Sequence, residues 1–189
     1  MSTVSVHYFD RPGPRNTETT LRSAKQRAGD LGLSQLVVAS NTGRTALTAA
    51  ELMPEMQRIV GVTEAAGWWD TDTPPDPEVV AEAQAKGVSF VTGTHALMGA
   101  VSWAVHKSFG GLPPVELIAR TYYAFSQGTK VAVECLLMAA DAGLLDMSED
   151  AIAIAGTGKG ADTALVVKPT FSNEFFRLRI REFLAMPRG

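Results

Sequence analysis

A chain of 189 residues with 46% hydrophobic and 20% charged residues is long enough to bury a proper core, and it reads as one globular domain, 1–189. A formal net charge of −3, with acids and bases interspersed, leaves no basic face for a nucleic-acid backbone. The single cysteine, Cys135, excludes an internal disulfide framework and suits a reducing cytosol.

The first residues, MSTVSVHYFDRPGP, lack the basic start and long apolar run of a signal peptide. The most apolar helical candidate, 130–145, is interrupted by Lys130, Glu134 and Asp141, which argues against a membrane span. The expectation is a cytoplasmic protein with no nucleic-acid and no membrane partner.

In chain order, a short strand over 4–9 closes at the turn residues Asp10-Arg11-Pro12-Gly13-Pro14. Asn16 or Thr17 can cap a helix whose apolar positions Leu21, Ala24, Ala28 and Leu31 recur three and four apart, and Gly32 ends it. Leu36-Val37-Val38-Ala39 reads as a buried parallel strand. A helix over 45–53 and a strand over 58–62 repeat the pattern. A polar, proline-rich stretch, 67–77, reads as an excursion at the sheet edge before a helix over 78–86 and a strand over 88–91. Residues 105–114, with Gly110-Gly111 and Pro113-Pro114, read as a loop. Helices over 115–126 and 129–143 follow, then strands over 151–155 and 163–167 flanking a glycine loop. The final alternation over 176–183 fits an exposed strand or a helix end. Strands alternating with helices through short loops predict an α/β fold: three layers, α/β/α, around a mostly parallel sheet.

In such a sheet, ligands bind beyond the carboxyl ends of the strands. Three loops there carry the residue types that hold anions. Ser40-Asn41-Thr42-Gly43-Arg44-Thr45 follows a buried strand and opens a helix, where free N–H groups and the helix dipole favour phosphate. The plainer alternative is that one of its hydroxyls simply caps that helix. Thr92-Gly93-Thr94-His95 is the second loop, and a neutral His95 could donate to a ligand or act as a general acid or base. His7 and His106 show no metal-ligand spacing with His95 or Cys135, so no zinc site is expected.

The third is Gly156-Thr157-Gly158-Lys159-Gly160. A Walker loop needs Gly, four residues, then Gly-Lys-Ser/Thr, but Gly160 follows Lys159 and position 153 is Ala153. A dinucleotide fingerprint would continue into a helix, whereas Ala164–Lys168 is β-like and runs into Pro169. The stretch is therefore strand-loop-strand. Lys159 offers an anion a point charge or is a solvated lysine on a turn, and Asp162 orients a ligand group or fixes the turn. Glu134 lies in an otherwise apolar helix, too far from Asp141 for paired acid/base work; it points toward the ligand end or is neutralised in the core. Cys135, mid-helix among apolar residues, reads as inert packing.

QLVVASNTGRTALTAAELMPEMQRIVGVT resembles the C-terminal α/β domain of pyruvate kinase, in which a Ser/Thr-Gly-Arg-Ser/Thr-Ala turn grips a phosphate of a sugar-bisphosphate effector. The resemblance implies phosphate contacts at Ser40, Asn41, Thr42, Gly43, Arg44 and Thr45. Across nearly the whole chain, YFDRPGP, TGTHAL, AADAGL, GTGKGADTALVVKP and IREFLAMPR are similar to a family of small stand-alone bacterial and archaeal proteins of that fold, without an assigned reaction. That likeness implies flavin mononucleotide (FMN) as the ligand. Its phosphate would lie at Ser40–Thr45 and its ring system near Thr92–His95 and the glycine loop. Trp68-Trp69 would then stack on the ring or form a hydrophobic flap or subunit contact. No barrel segment accompanies this sequence, so kinase chemistry is not carried over.

Three functions follow as expectations. One is an FMN-binding protein whose chemistry is the flavin's; another is a non-catalytic sensor of a phosphorylated metabolite such as a sugar phosphate. The last is a flavin-independent enzyme using His95 and Glu134. A homo-oligomer is permitted and not required.

Overall fold

The computed structural model describes residues 3–188. Strands β1 (His7–Phe9), β2 (Gln35–Ala39), β3 (Arg58–Val62), β4 (Val88–Val91), β5 (Ala151–Ala155), β6 (Thr163–Lys168) and β7 (Arg179–Pro187) form one sheet. Their order across it is β1-β7-β6-β5-β2-β3-β4. Every neighbouring pair is parallel except those made by β6, which runs against both β5 and β7. The carboxyl ends of all the other strands therefore share one rim.

Two-residue alternation sorts the strand side chains onto the two faces. Leu36, Val38, Ile152, Ile154 and Val166 face one core, covered by α1 (Thr17–Leu31), α2 (Arg44–Leu52) and α3 (Pro77–Ala85). Val37, Ala151, Ala153, Ala155 and Leu165 face the other, covered by α6 (Gln127–Asp141). The β5 sequence AIAIA thus presents large side chains to one layer and only methyl groups to α6. The small side let α6 sit close, and the helix is buried at nearly every position from Gly128 to Ala140. The chain is a three-layer α/β/α fold on a mostly parallel sheet, as its sequence predicts.

Four local expectations change. Neither Asn16 nor Thr17 caps α1 with its side chain. Asn16 Nδ2 donates to the Arg11 carbonyl at 2.9 Å and Thr17 Oγ1 to the Pro14 carbonyl at 2.8 Å, because a 3-10 turn over Pro14–Asn16 leads into the helix. The expected loop over 105–114 is helical in its first half. Helix α4 (Val101–Phe109) precedes α5 (Pro114–Tyr122), and only Gly110–Pro113 connects them. The apolar side chains of α4 are unburied, Val101 being 74% and Phe109 86% exposed, so the helix shows no core-facing stripe. The strand expected over 4–9 narrows to His7–Phe9. Of the terminal alternation over 176–183, Phe176 and Arg177 end a 3-10 helix over Ser172–Arg177, and the strand β7, between β1 and β6, begins at Arg179. On it, Glu182 accepts from Arg27 Nε and Nη2 of α1 at 2.7 Å each. No helix among the described residues is long and apolar enough to cross a membrane.

Candidate functional site

A cavity of about 600 Å³ opens on the carboxyl rim between the ends of the adjacent strands β2 and β5. One wall is the β2–α2 turn, with Ser40, Asn41, Thr42, Arg44 and Thr45, and the facing wall is Gly156, Gly158, Lys159 and Gly160. Glu64, Asp72 and Thr73 close it from the β3–α3 connection, Pro14 and Thr17 from the start of α1, and Gln127 and Val131 from α6.

The β2–α2 turn is tightly fixed and leaves backbone donors facing the rim. Gly43 has φ 90, the left-handed conformation that L side chains rarely adopt, and α3 packs so near that an added Cβ would lie 3.1 Å from Val80. Ser40 is buried, and its Oγ accepts from the Ala46 N–H at 3.1 Å, so this hydroxyl holds the turn. The two N–H groups before it stay available. Arg44 N–H makes only a 3.5 Å contact with Thr42 Oγ1, and Thr45 N–H lies in the first turn, where no intrahelical acceptor exists. The Thr42 and Thr45 hydroxyls flank them. The Arg44 side chain is exposed and held loosely by Asp76 at 3.7 Å.

Glu64, absent from the expected site, stands beside this turn. Its carboxylate accepts from Asn41 Nδ2 at 3.0 Å, while its backbone N–H donates to Asn41 Oδ1 at 2.6 Å. This reciprocal pair fixes both side chains. Partial burial pushes the Glu64 carboxyl above the usual range, and the neighbouring Asp72 adds to the rise; the Asn41 donor opposes it.

The glycine loop is fastened from behind. Asp162 is fully buried, and its Oδ2 accepts from Gly13 N at 3.0 Å and Thr157 N at 3.1 Å, while Oδ1 accepts from Thr163 Oγ1 at 2.9 Å. Asp162 therefore fixes the turn and does not line the cavity. Gly160 has φ 68 and sits against Pro14 and Thr17; a Cβ there would come within 2.5 Å of Thr17 Oγ1. Gly158 and Lys159 are exposed at the tip, and Lys159 faces the β2–α2 turn across the cavity.

Thr92, Gly93, Thr94 and His95 lie at the same rim but outside the cavity lining. Thr92 Oγ1 is 2.6 Å from Thr63 Oγ1, and His95 Nε2 accepts from Ala65 N at 3.2 Å, so this loop braces the β3–α3 connection. Glu134, the other acid/base candidate, is buried. Its Oε1 accepts from Leu97 N and Met98 N at 2.8 Å each, and its Oε2 is paired with the buried Lys130 one turn earlier. His95 and Glu134 are thus built into the scaffold behind the cavity. Trp68 Nε1 donates to the Gly99 carbonyl and Trp69 Nε1 to the Glu64 carbonyl, both at 3.0 Å. They pin the 64–72 segment and do not line the cavity. Cys135 is buried, and burial reinforced by the Glu134 charge pushes its thiol far up. Among the described residues, no group of three or more His, Cys, Asp or Glu side chains is arranged to hold a metal ion.

Sequence reasoning brought the β2–α2 turn and the glycine loop to one cavity but missed Glu64, Asp72, Thr73, Thr17 and Gln127. For Glu64 a signal existed: it follows the carboxyl end of a parallel strand by two residues, the place where ligands of such sheets bind. The family described as pyruvate kinase, alpha/beta domain, has a model that matches residues 18–167, from the first turn of α1 into β6. That span holds the β2–α2 turn, the glycine loop and every strand between them, and the chain belongs to the pyruvate kinase alpha/beta domain family.

Proposed function

We propose that this chain binds a phosphorylated small molecule at the rim cavity, with FMN as the first candidate, and that it works in the cytoplasm. The observation that carries this reading is the β2–α2 turn. Two N–H groups, two threonine hydroxyls and the positive end of α2 converge on a cavity whose far wall carries Lys159. The volume of about 600 Å³ lies within the range of small-molecule sites. Thr42, Arg44 and Thr45 would hold the FMN phosphate, and Glu64 is placed for ribityl hydroxyls. When bound, the flavin would supply electron-transfer chemistry that the protein's own side chains do not offer.

A second reading, a sensor for a sugar phosphate, is favoured by one specific feature. No described aromatic side chain lines the cavity, so a flavin ring would meet threonines, glycines and short apolar side chains there. The decisive experiment is purification without added ligand, followed by the visible absorption spectrum and titration with FMN and with sugar phosphates. Flavin absorbance, or quenching of FMN fluorescence that Thr42→Ala/Thr45→Ala abolishes, supports the flavin. Stabilisation by sugar phosphates alone supports the sensor. Colourless protein that responds to neither removes the phosphate reading.

A further inference from the structure

The cavity lining is of two chemical kinds. Thr42, Thr45 and Lys159 offer donors and positive charge, whereas Glu64 and Asp72 offer carboxyl oxygens. A carboxylate placed near a bound phosphate would repel it, so its presence calls for a partner other than the phosphate itself. Glu64 is also held too firmly to be a wandering surface acid. Asn41, the residue next to Thr42, clamps it through two hydrogen bonds, and Trp69 Nε1 holds its carbonyl. One carboxylate edge remains for the cavity.

We infer that Glu64, oriented by Asn41 with Asp72 beside it in the cavity lining, selects ligands carrying hydroxyl groups on the carbons next to the phosphate: phosphomonoesters of polyols. This rests on the phosphate reading above and adds the specificity element to it. Asn41 joins the two halves of the site, because it is one residue from the phosphate turn and directly bonded to the carboxyl. A carboxyl group keeps oxygens that accept from the hydroxyls of a polyol. A sugar phosphate and the ribityl phosphate of FMN share this chemistry.

The test is calorimetric titration of the wild type, Glu64→Gln and Asp72→Asn with inorganic phosphate, propyl phosphate, ribitol, ribitol 5-phosphate, ribose 5-phosphate and FMN. Thermal unfolding of each variant checks that it is folded. The wild type is expected to bind ribitol 5-phosphate at least about tenfold more tightly than propyl phosphate, the worth of one hydrogen bond to a charged group. Glu64→Gln should remove most of that preference and leave propyl phosphate unchanged. Equal affinity for the two esters in the wild type, or an unchanged preference in both folded variants, overturns the inference while leaving phosphate binding intact. Binding of ribitol without any response to inorganic or propyl phosphate keeps Glu64 as a hydroxyl acceptor and overturns the phosphate grip. No binding by any probe overturns both. Preference between ribose 5-phosphate and FMN then identifies the source of the polyol.

Discussion

Asp162 Oδ2 accepts the backbone N–H of Gly13 at 3.0 Å, joining the start of the chain to the glycine loop across 149 residues. The same carboxylate takes Thr157 N–H and Thr163 Oγ–H, so a single buried side chain ties three segments together behind the cavity. Asp162→Ala leaves the Gly13 and Thr157 N–H groups without an acceptor, whereas the Thr163 hydroxyl keeps Ser126 Oγ, and a buried donor left unsatisfied costs about 1–3 kcal/mol. The expected loss is therefore about 3 kcal/mol or more, read as a lower urea midpoint with an unchanged m value. An alanine variant with the wild-type midpoint would show that Asp162 does not fasten the loop.

The buried pair Lys130–Glu134 yields a prediction of a different shape. Both side chains are nearly inaccessible, at 7% and 4% exposure, and Glu134 also anchors the Leu97 and Met98 amides. Glu134→Ala strands a buried ammonium and frees that loop, for an expected cost of about 3–5 kcal/mol. Lys130→Met/Glu134→Leu removes both charges but still loses the two amide anchors. Its cost should fall below that of the single change, and amide exchange at Leu97 and Met98 should quicken in both. A double variant as unstable as Glu134→Ala would point to the anchors alone as the whole effect.

Two carboxyls give opposite pH dependences. Glu182 is held below its ordinary 4.5 by the hydrogen bonds from Arg27, so its contribution is present above the unfolded value and is lost as pH falls through the lower folded value. Glu64 is raised above 4.5, chiefly by burial, so its contribution is full below the unfolded value and is lost as pH rises through the folded one. Relative to the wild type, Glu182→Gln should flatten the acid side of the stability profile. Glu64→Gln should flatten the decline that begins above pH 4.5. Urea midpoints measured across this range check both signs, and a Glu64→Gln profile parallel to the wild type would contradict the second.

What was legible in the chain was whatever a short window contains. Leu36–Ala39 followed by Ser40–Thr45 announces a buried strand and an anion-suited helix start within ten residues, because apolar run, left-handed glycine and free N–H groups are all local properties. Glu64 and Asn41 are 23 residues apart, and their clamp exists only once β2 and β3 pair side by side. His95 and Glu134 looked like chemistry because both are titratable. Only packing reveals that each is occupied by backbone amides. Helix α4 was hidden for the opposite reason: its Val101, Val105 and Phe109 repeat four apart yet bury nothing, and turn residues just beyond it dominate the local pattern.

Lys159 separates a phosphate site on the β2–α2 turn from one on the glycine loop. It is exposed at the tip, between Gly158 and Gly160, both with positive φ, and its ammonium makes no hydrogen bond or ion pair among the described residues. A point charge in that position attracts an anion across solvent, so its contribution is modest and weakens with salt. Thr42→Ala/Thr45→Ala, in contrast, removes short-range donors that salt does not screen. The expected loss of phosphate-ester affinity is roughly threefold for Lys159→Ala and about tenfold or more for the threonine pair. Repeating the titration at high salt should shrink the lysine effect and leave the threonine effect standing. If Lys159→Ala abolished binding while the threonine variant retained it, the grip would belong to the glycine loop.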